Sequence, residues 1–212
     1  MAAMTEKVLS MPEALEKLDR VRVFNVVRIL KEGGAKDVCA SPDGFIVFYA
    51  DAADAEAALA EMTKLHSEGM LRLETIPLGR AFALTQGLMG LKAPMPTRIQ
   101  FSQAIVAQEG DRGVPEELKA RMAKTGPFPL FFLPGLGAPA IMPIFFSRAD
   151  LTACWAKKHT EAMPEASVTD LRVLVARTMQ EPGDWKQLVF VHGHAEAQLI
   201  KRLDAQAKRE QS

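Results

Sequence analysis

The side chains able to do chemistry here are four histidines, two cysteines and a few adjacent carboxylates. His192 and His194 stand two apart directly after an apolar run, a spacing at which imidazoles can share a transition metal. A metal needs further ligands, however, and His66 and His159 fall on helical stretches far off in sequence. Surface or helix-capping histidines are the better reading. Cys39 and Cys154 are too few for a disulfide framework, and whether they pair is left open by sequence. Cys154 lies on the apolar side of a helical stretch and reads as a buried free thiol. Glu116 and Glu117 sit at a helix start, where they suit the helix dipole rather than acid–base catalysis. No glycine-rich phosphate loop and no G-x-S-x-G nucleophile elbow occurs. Pro134-Gly135-Leu136-Gly137 has two glycines but no helix behind it, and reads as a turn. The expectation is a protein that is not an enzyme, with no catalytic residue, no cofactor and no metal ligand.

The eleven methionines carry a softer signal. Met89, Met95, Met122 and Met142 gather around the middle of the chain and could line an adaptable apolar groove for a partner. Filling of the core is the competing reading.

Composition narrows the classes of partner. The 212 residues are 48% hydrophobic and 25% charged, with 26 basic against 26 acidic side chains. That is an ordinary globular balance, and a net charge of zero gives no field to attract nucleic acid. No apolar run reaches the ~20 residues that cross a bilayer, so no transmembrane segment is expected, although peripheral membrane association stays possible. The N-terminus lacks a secretory signal, and whether a targeting peptide was removed is open.

The elements that must position these groups follow from periodicity and turn chemistry. Residues 4–18 read as a helix capped by Ser10, with Pro12 and Glu13 in its first turn. Strands are expected at 21–29, 45–50, 70–77, 97–108, 128–133, 140–146, 168–174 and 187–191, from apolar or alternating runs. Helices are expected at 51–66, 79–88, 115–124, 147–162, 174–179 and 195–209, the longer ones with an apolar stripe. Ser41-Pro42-Asp43-Gly44 is a turn. The resulting division is an N-terminal helix (1–20), a first lobe (21–92), a connector with strand and helix (93–126), a second lobe (127–207) and a frayed tail (208–212).

One spacing recurs. Asp54 and Asp150, Ala57 and Ala153, and Leu78 and Leu174 are each 96 residues apart, and the same shift sets Asp51 on Ser147 as helix caps and Tyr49 on Phe145 at a strand end. The fold class this predicts is α+β: two pseudo-symmetric repeats, each a small mixed sheet with packed helices. In this frame Phe145 and its neighbours Ile144 and Phe146 are core.

An ordered series of short motifs adds a resemblance. Val21-Arg22-Val23-Phe24-Asn25-Val26, Phe45 to Asp54, Thr75 to Phe82, Pro127 to Phe132, Ile141 to Leu151 and Gln187 to Val191 together resemble the Tic-twenty-two-like family of the chloroplast import translocon. The likeness spans about residues 10–205. The chain departs from the family pattern at Arg22 (usually proline), Phe82 (usually tyrosine) and His192-Gly193 (usually proline-serine). The resemblance implies a plastid protein of protein transport, chaperone-like, binding unfolded precursor polypeptides through apolar surface. A second implied function is a structural or assembly subunit of a large plastid membrane complex, such as a photosystem supercomplex at the thylakoid. Intermembrane space, stroma and thylakoid surface are not distinguished.

Overall fold

The computed structural model describes residues 7–29, 36–65, 70–109, 127–137 and 141–210. The helices are α1 (Met11–Asp19), α2 (Ala52–Leu65), α3 (Leu78–Gln86), α4 (Gln103–Glu109), α5 (Arg148–Ala156), α6 (Leu171–Gln180) and α7 (His194–Glu210). The strands are β1 (Arg22–Ile29), β2 (Lys36–Val38), β3 (Ile46–Tyr49), β4 (Met70–Pro77), β5 (Thr97–Gln100), β6 (Pro129–Phe132), β7 (Met142–Phe145), β8 (Ser167–Asp170) and β9 (Leu188–Val191).

The chain divides into two compact units, neither contiguous in sequence. The β1 unit comprises Arg22–Gln103 with Ala195–Ser212, and the β6 unit comprises Met1–Val21 with Ala104–His194. The divisions expected at 92/93 and 126/127 do not coincide with these units. Strand β5 is a full member of the first sheet, and α7 packs Leu199, Ile200 and Leu203 on the core around Phe24 and Tyr49. Residues 208–210 of the expected tail close α7.

Each unit holds one mixed sheet, as the α+β repeat reading expects. In the first, β3 lies between β1 (antiparallel) and β5 (parallel), β4 pairs the other side of β1, and β2 extends the β3 side. In the second, the order is β8-β6-β7-β9, with β7 and β9 parallel and the remaining pairs antiparallel. The path β4-β1-β3-β5 thus recurs as β8-β6-β7-β9. The ladders also correct the spacing. Phe24 pairs Tyr49 and Thr75, and Phe131 pairs Phe145 and Val168. The shift is 96 from Tyr49 to Phe145 but 93 from Thr75 to Val168, so Leu78, the first residue of α3, matches Leu171 rather than Leu174.

Local chemistry explains most element ends. Ser10 and Glu13 form a reciprocal capping box on α1, Asp51 accepts the Asp54 N–H, and Ser147 accepts from Ala149 and Asp150. Four stretches differ from expectation, the first being the strand expected over 168–174, which ends at Asp170 and gives way to α6 at Leu171 instead of 174 because Asp170 caps that helix. Residues 7–10 are extended, with the Lys7 and Leu9 amides donating to Gly183 and Thr178. The strand expected over 97–108 stops at Gln100 and α4 follows, because Phe101 and Ile105 have helical, not alternating, spacing. The helix expected to 162 ends at Ala156: Trp155 stacks on His159, ring centroids 3.7 Å apart, and its indole donates to the Glu161 carbonyl. The helix expected at 115–124 lies outside the described residues.

The cores are apolar and local to each unit. Phe24, Val26, Val47, Tyr49, Ala55, Met62 and Leu73 form one cluster. Phe131, Leu133, Leu136, Phe145 and Leu151 form the other, with Ile105 and Cys154 against it. Helix α1 lays Ala14, Leu15 and Leu18 inward within the β6 unit, against α6 and β9, and Lys17 Nζ donates to the Lys186 and Leu188 carbonyls.

Candidate functional site

The loop from α3 to β5 leaves the usual backbone. Helix α3 ends on Gly87, a left-handed C-cap (φ 64°) whose N–H returns to Ala83 and Leu84. A single 3₁₀ turn, Leu88–Gly90, follows, with Met89 at φ 55° and Gly90 at φ 69°. Met89 is the only non-glycine residue with positive φ among the described residues. That conformation costs an ordinary side chain about 1–2 kcal/mol, and strain of this kind gathers at functional positions.

Apolar side chains of this loop stand in water. Met89 is 60% exposed, Met95 41% and Leu91 37%. Of the four methionines singled out by sequence, Met89 and Met95 therefore share the α3–β5 loop, a connector within the β1 unit that is distinct from the one expected at 93–126. Met142 is half-buried in β7 of the β6 unit, where it pairs with Leu188, and Met122 lies outside the described residues. Leu91 belongs with the exposed pair and was missed, since a lone leucine beside Gly90 and Lys92 gave no periodic signal.

A concavity elsewhere in the β1 unit mixes charged and apolar lining. A cleft of about 530 Å³ opens between α2, the Ser41–Asp43 turn and β5. Arg98 pairs with Asp43 and lies 5.1 Å over the Phe45 ring. Asp54 accepts the Gln103 N–H at 3.0 Å. Tyr49, only 7% exposed, lines the same cleft. Burial pushes its phenol up, with Asp43, Glu61 and Asp54 adding to the shift and Arg98 opposing it. The hydrogen bond from Ser41, followed by the contact with Arg98, holds Asp43 below the usual carboxylate value.

The remaining candidates sort quickly. Among the described residues no group of three or more His, Cys, Asp or Glu is placed to hold a metal, and His66 lies outside them. Cys39 and Cys154 are free thiols, each half-buried, and burial pushes Cys39 up. Among the described residues no helix is long and apolar enough to cross a membrane.

No family model and no curated protein sequence matches the chain. Solved structures do. Tic22 from Plasmodium falciparum superposes with a TM-score of 0.63 at 17% identity, over 90% of this chain and 97% of that one. The Tic22 of Anabaena, described as a protein of protein transport, gives 0.57 at 20% identity over 92% and 98%. The chain has the Tic22 fold. The coverage runs through both sheets, so the Tic22 likeness includes the duplicated strand path and not merely one lobe. At these identities the likeness fixes the Tic22 architecture, while the side chains that differ are read on their own chemistry.

Proposed function

We propose that this chain is a non-enzymatic, plastid-type protein-transport factor that holds polypeptides through the apolar connector of its β1 unit. The observation that carries the reading is that Met89, Leu91 and Met95 stand exposed in one loop, with Met89 itself in a left-handed conformation that costs free energy to maintain. Methionine and leucine side chains without fixed partners can repack around varied sequences, which suits a client-binding surface better than one ligand. The Tic22 fold and the protein-transport description of its Anabaena bearer support the class of function. Met122 and Met142 remain proposed contributors to partner binding.

The alternative of a structural or assembly subunit gains nothing from the N-terminal helix. Ala14, Leu15 and Leu18 of α1 are buried within the β6 unit.

The test is binding of a reduced, carboxymethylated protein that cannot fold, followed by its intrinsic or attached fluorescence. Wild type should bind it and ignore the same protein in its native form. Replacing Met89, Leu91 and Met95 together by serine should weaken binding at least tenfold without lowering stability, because all three are exposed. Equal binding by the triple variant would end this reading of the connector.

A further inference from the structure

Strand β4 is an open edge. It pairs β1 over its whole length, from Met70 on Ile29 to Pro77 on Arg22, and among the described residues no strand lies on its other side. It has eight residues, against four in β8, its counterpart in the other unit, and four in the edge strands β5 and β9. Folded proteins blunt long edges with proline, lysine or a bulge. Strand β4 has none of these before Pro77.

The register tells which backbone groups face outward. The Cys39 N–H donates to the Val26 carbonyl at 2.9 Å, so the polar groups of Val26 face β2. Alternation then turns those of Asn25 and Val27 towards β4. Val26 stands opposite Leu73, whose N–H and C=O therefore point away from β1, as do those of Leu71 and Thr75. Among the described residues none of these outward groups has a hydrogen-bond partner. Helix α7 leaves the strand reachable, through a cleft of about 130 Å³ lined by residues 72–75, Leu203 and Asp204.

The side chains select the occupant. An antiparallel partner that uses the outward groups of a second β4 must set odd-numbered residues against odd-numbered ones. With the midpoint on Leu73, Leu73 meets Leu73 and Leu71 meets Thr75 in both directions, each pair exchanging two hydrogen bonds. Arg72 and Glu74, 2.7 Å apart within one chain, then each face the opposite charge of the second copy. A midpoint on residue 72 would oppose two arginines and one on residue 74 two glutamates, which destabilises a strand pair. The favoured register also lays the second copy's Ile76 on Met70, whose side chain is 61% exposed.

We infer that β4 is a docking edge for a second copy of this chain, forming a two-fold antiparallel pair that joins two β1-unit sheets into one. The contact uses the same surface on both copies, so it closes at a dimer. It does not depend on the transport reading.

Sedimentation equilibrium of the full chain across the micromolar range tests this. Wild type should pass from monomer to dimer as concentration rises. Thr75→Pro removes an outward N–H without touching the β1 ladder, so it should keep its circular dichroism and weaken the dimer about tenfold. Arg72→Glu and Glu74→Arg should each be monomeric alone, because each sets like charges face to face. Mixed in equal amounts they should form a heterodimer, since the two changes complement each other only across the two-fold. A mixture that stays monomeric would overturn the pairing, as would a wild-type dimer indifferent to Thr75→Pro and to both reversals. Wild type that is monomeric throughout would also overturn it. Uptake of a labelled extended peptide by that monomer, lost in Thr75→Pro, would put a foreign strand in place of the second copy.

Discussion

Phe145 lies in β7 opposite Phe131 and is buried with it, Leu133, Leu136 and Leu151 in the core of the β6 unit. Removing such a ring leaves a cavity that neighbours fill only partly, at about 3–5 kcal/mol. Phe145→Ala should therefore lower the stability of the β6 unit by that amount in urea denaturation. A variant as stable as wild type would place the ring on a binding face instead. Charge at the residue scale was harder to read. Asp170 is fully buried and accepts from the Phe128 and Arg172 amides and from the Arg172 guanidinium, at 2.9 Å each. In sequence it looked like one polar position inside a strand running on to Leu174. Its cap on the Arg172 amide is local, but the apolar run from Val168 to Leu174 masked it, and the Phe128 amide that it also receives is 42 residues away. Glu74 gives a pH prediction. Burial raises its pKa, but hydrogen bonds from Lys36 and Arg72 outweigh burial and leave it below the model-peptide value of 4.5. A depressed carboxylate contributes stability above its unfolded value and loses it as pH falls through its folded value. Glu74→Gln should be less stable than wild type near pH 7, and the gap should close as pH drops below about 4.5, measured by denaturation across that range.

At the scale of elements, beginnings were legible and ends were not. Ser10, Asp51 and Ser147 act on amides two or three residues ahead, so their types and positions were enough. Helix α5 ends where Trp155 folds over its own C-terminus, which depends on His159 and Glu161 meeting the ring in space. The connector is the same kind of case, because no pattern in Leu88-Met89-Gly90 announces a methionine at positive φ. It also makes a prediction in which stability and function move apart. Met89→Gly relieves the left-handed backbone, although glycine brings back roughly 0.5–1 kcal/mol of chain entropy. The exposed side chain loses almost no packing. Met89→Gly should thus match or exceed wild-type stability in thermal denaturation, while its hold on an unfolded client weakens. Marked destabilisation would mean that the side chain is an anchor of the loop.

Across the whole molecule, the repeat was legible from the Tyr49/Phe145 and Asp51/Ser147 correspondences, yet the ownership of the last helices was not. Each strand path β4-β1-β3-β5 and β8-β6-β7-β9 is followed by a helix, α4 or α7. From Ala104 the first belongs to the β6 unit, and from Ala195 the second belongs to the β1 unit. Periodicity shows that α7 has an apolar stripe but not which sheet receives it. Its place is fixed by Leu199, Ile200 and Leu203 on the Phe24–Tyr49 core and by Glu196, which accepts the Ala52 amide at the start of α2. The ion pairs Arg202–Glu56 and Arg22–Asp204 are exposed and add little. Ending the chain at His194 should therefore strip a buried leucine and an N-terminal cap from the β1 unit and leave the β6 unit its own residues. Both tryptophans, Trp155 and Trp185, lie in the β6 unit, so they report on that unit alone. The shortened chain should lose far-ultraviolet circular dichroism and exchange the amides of β1 and β4 rapidly, while tryptophan emission stays at its native wavelength. A red-shifted emission in step with the lost dichroism would show that the two units fold as one cooperative body.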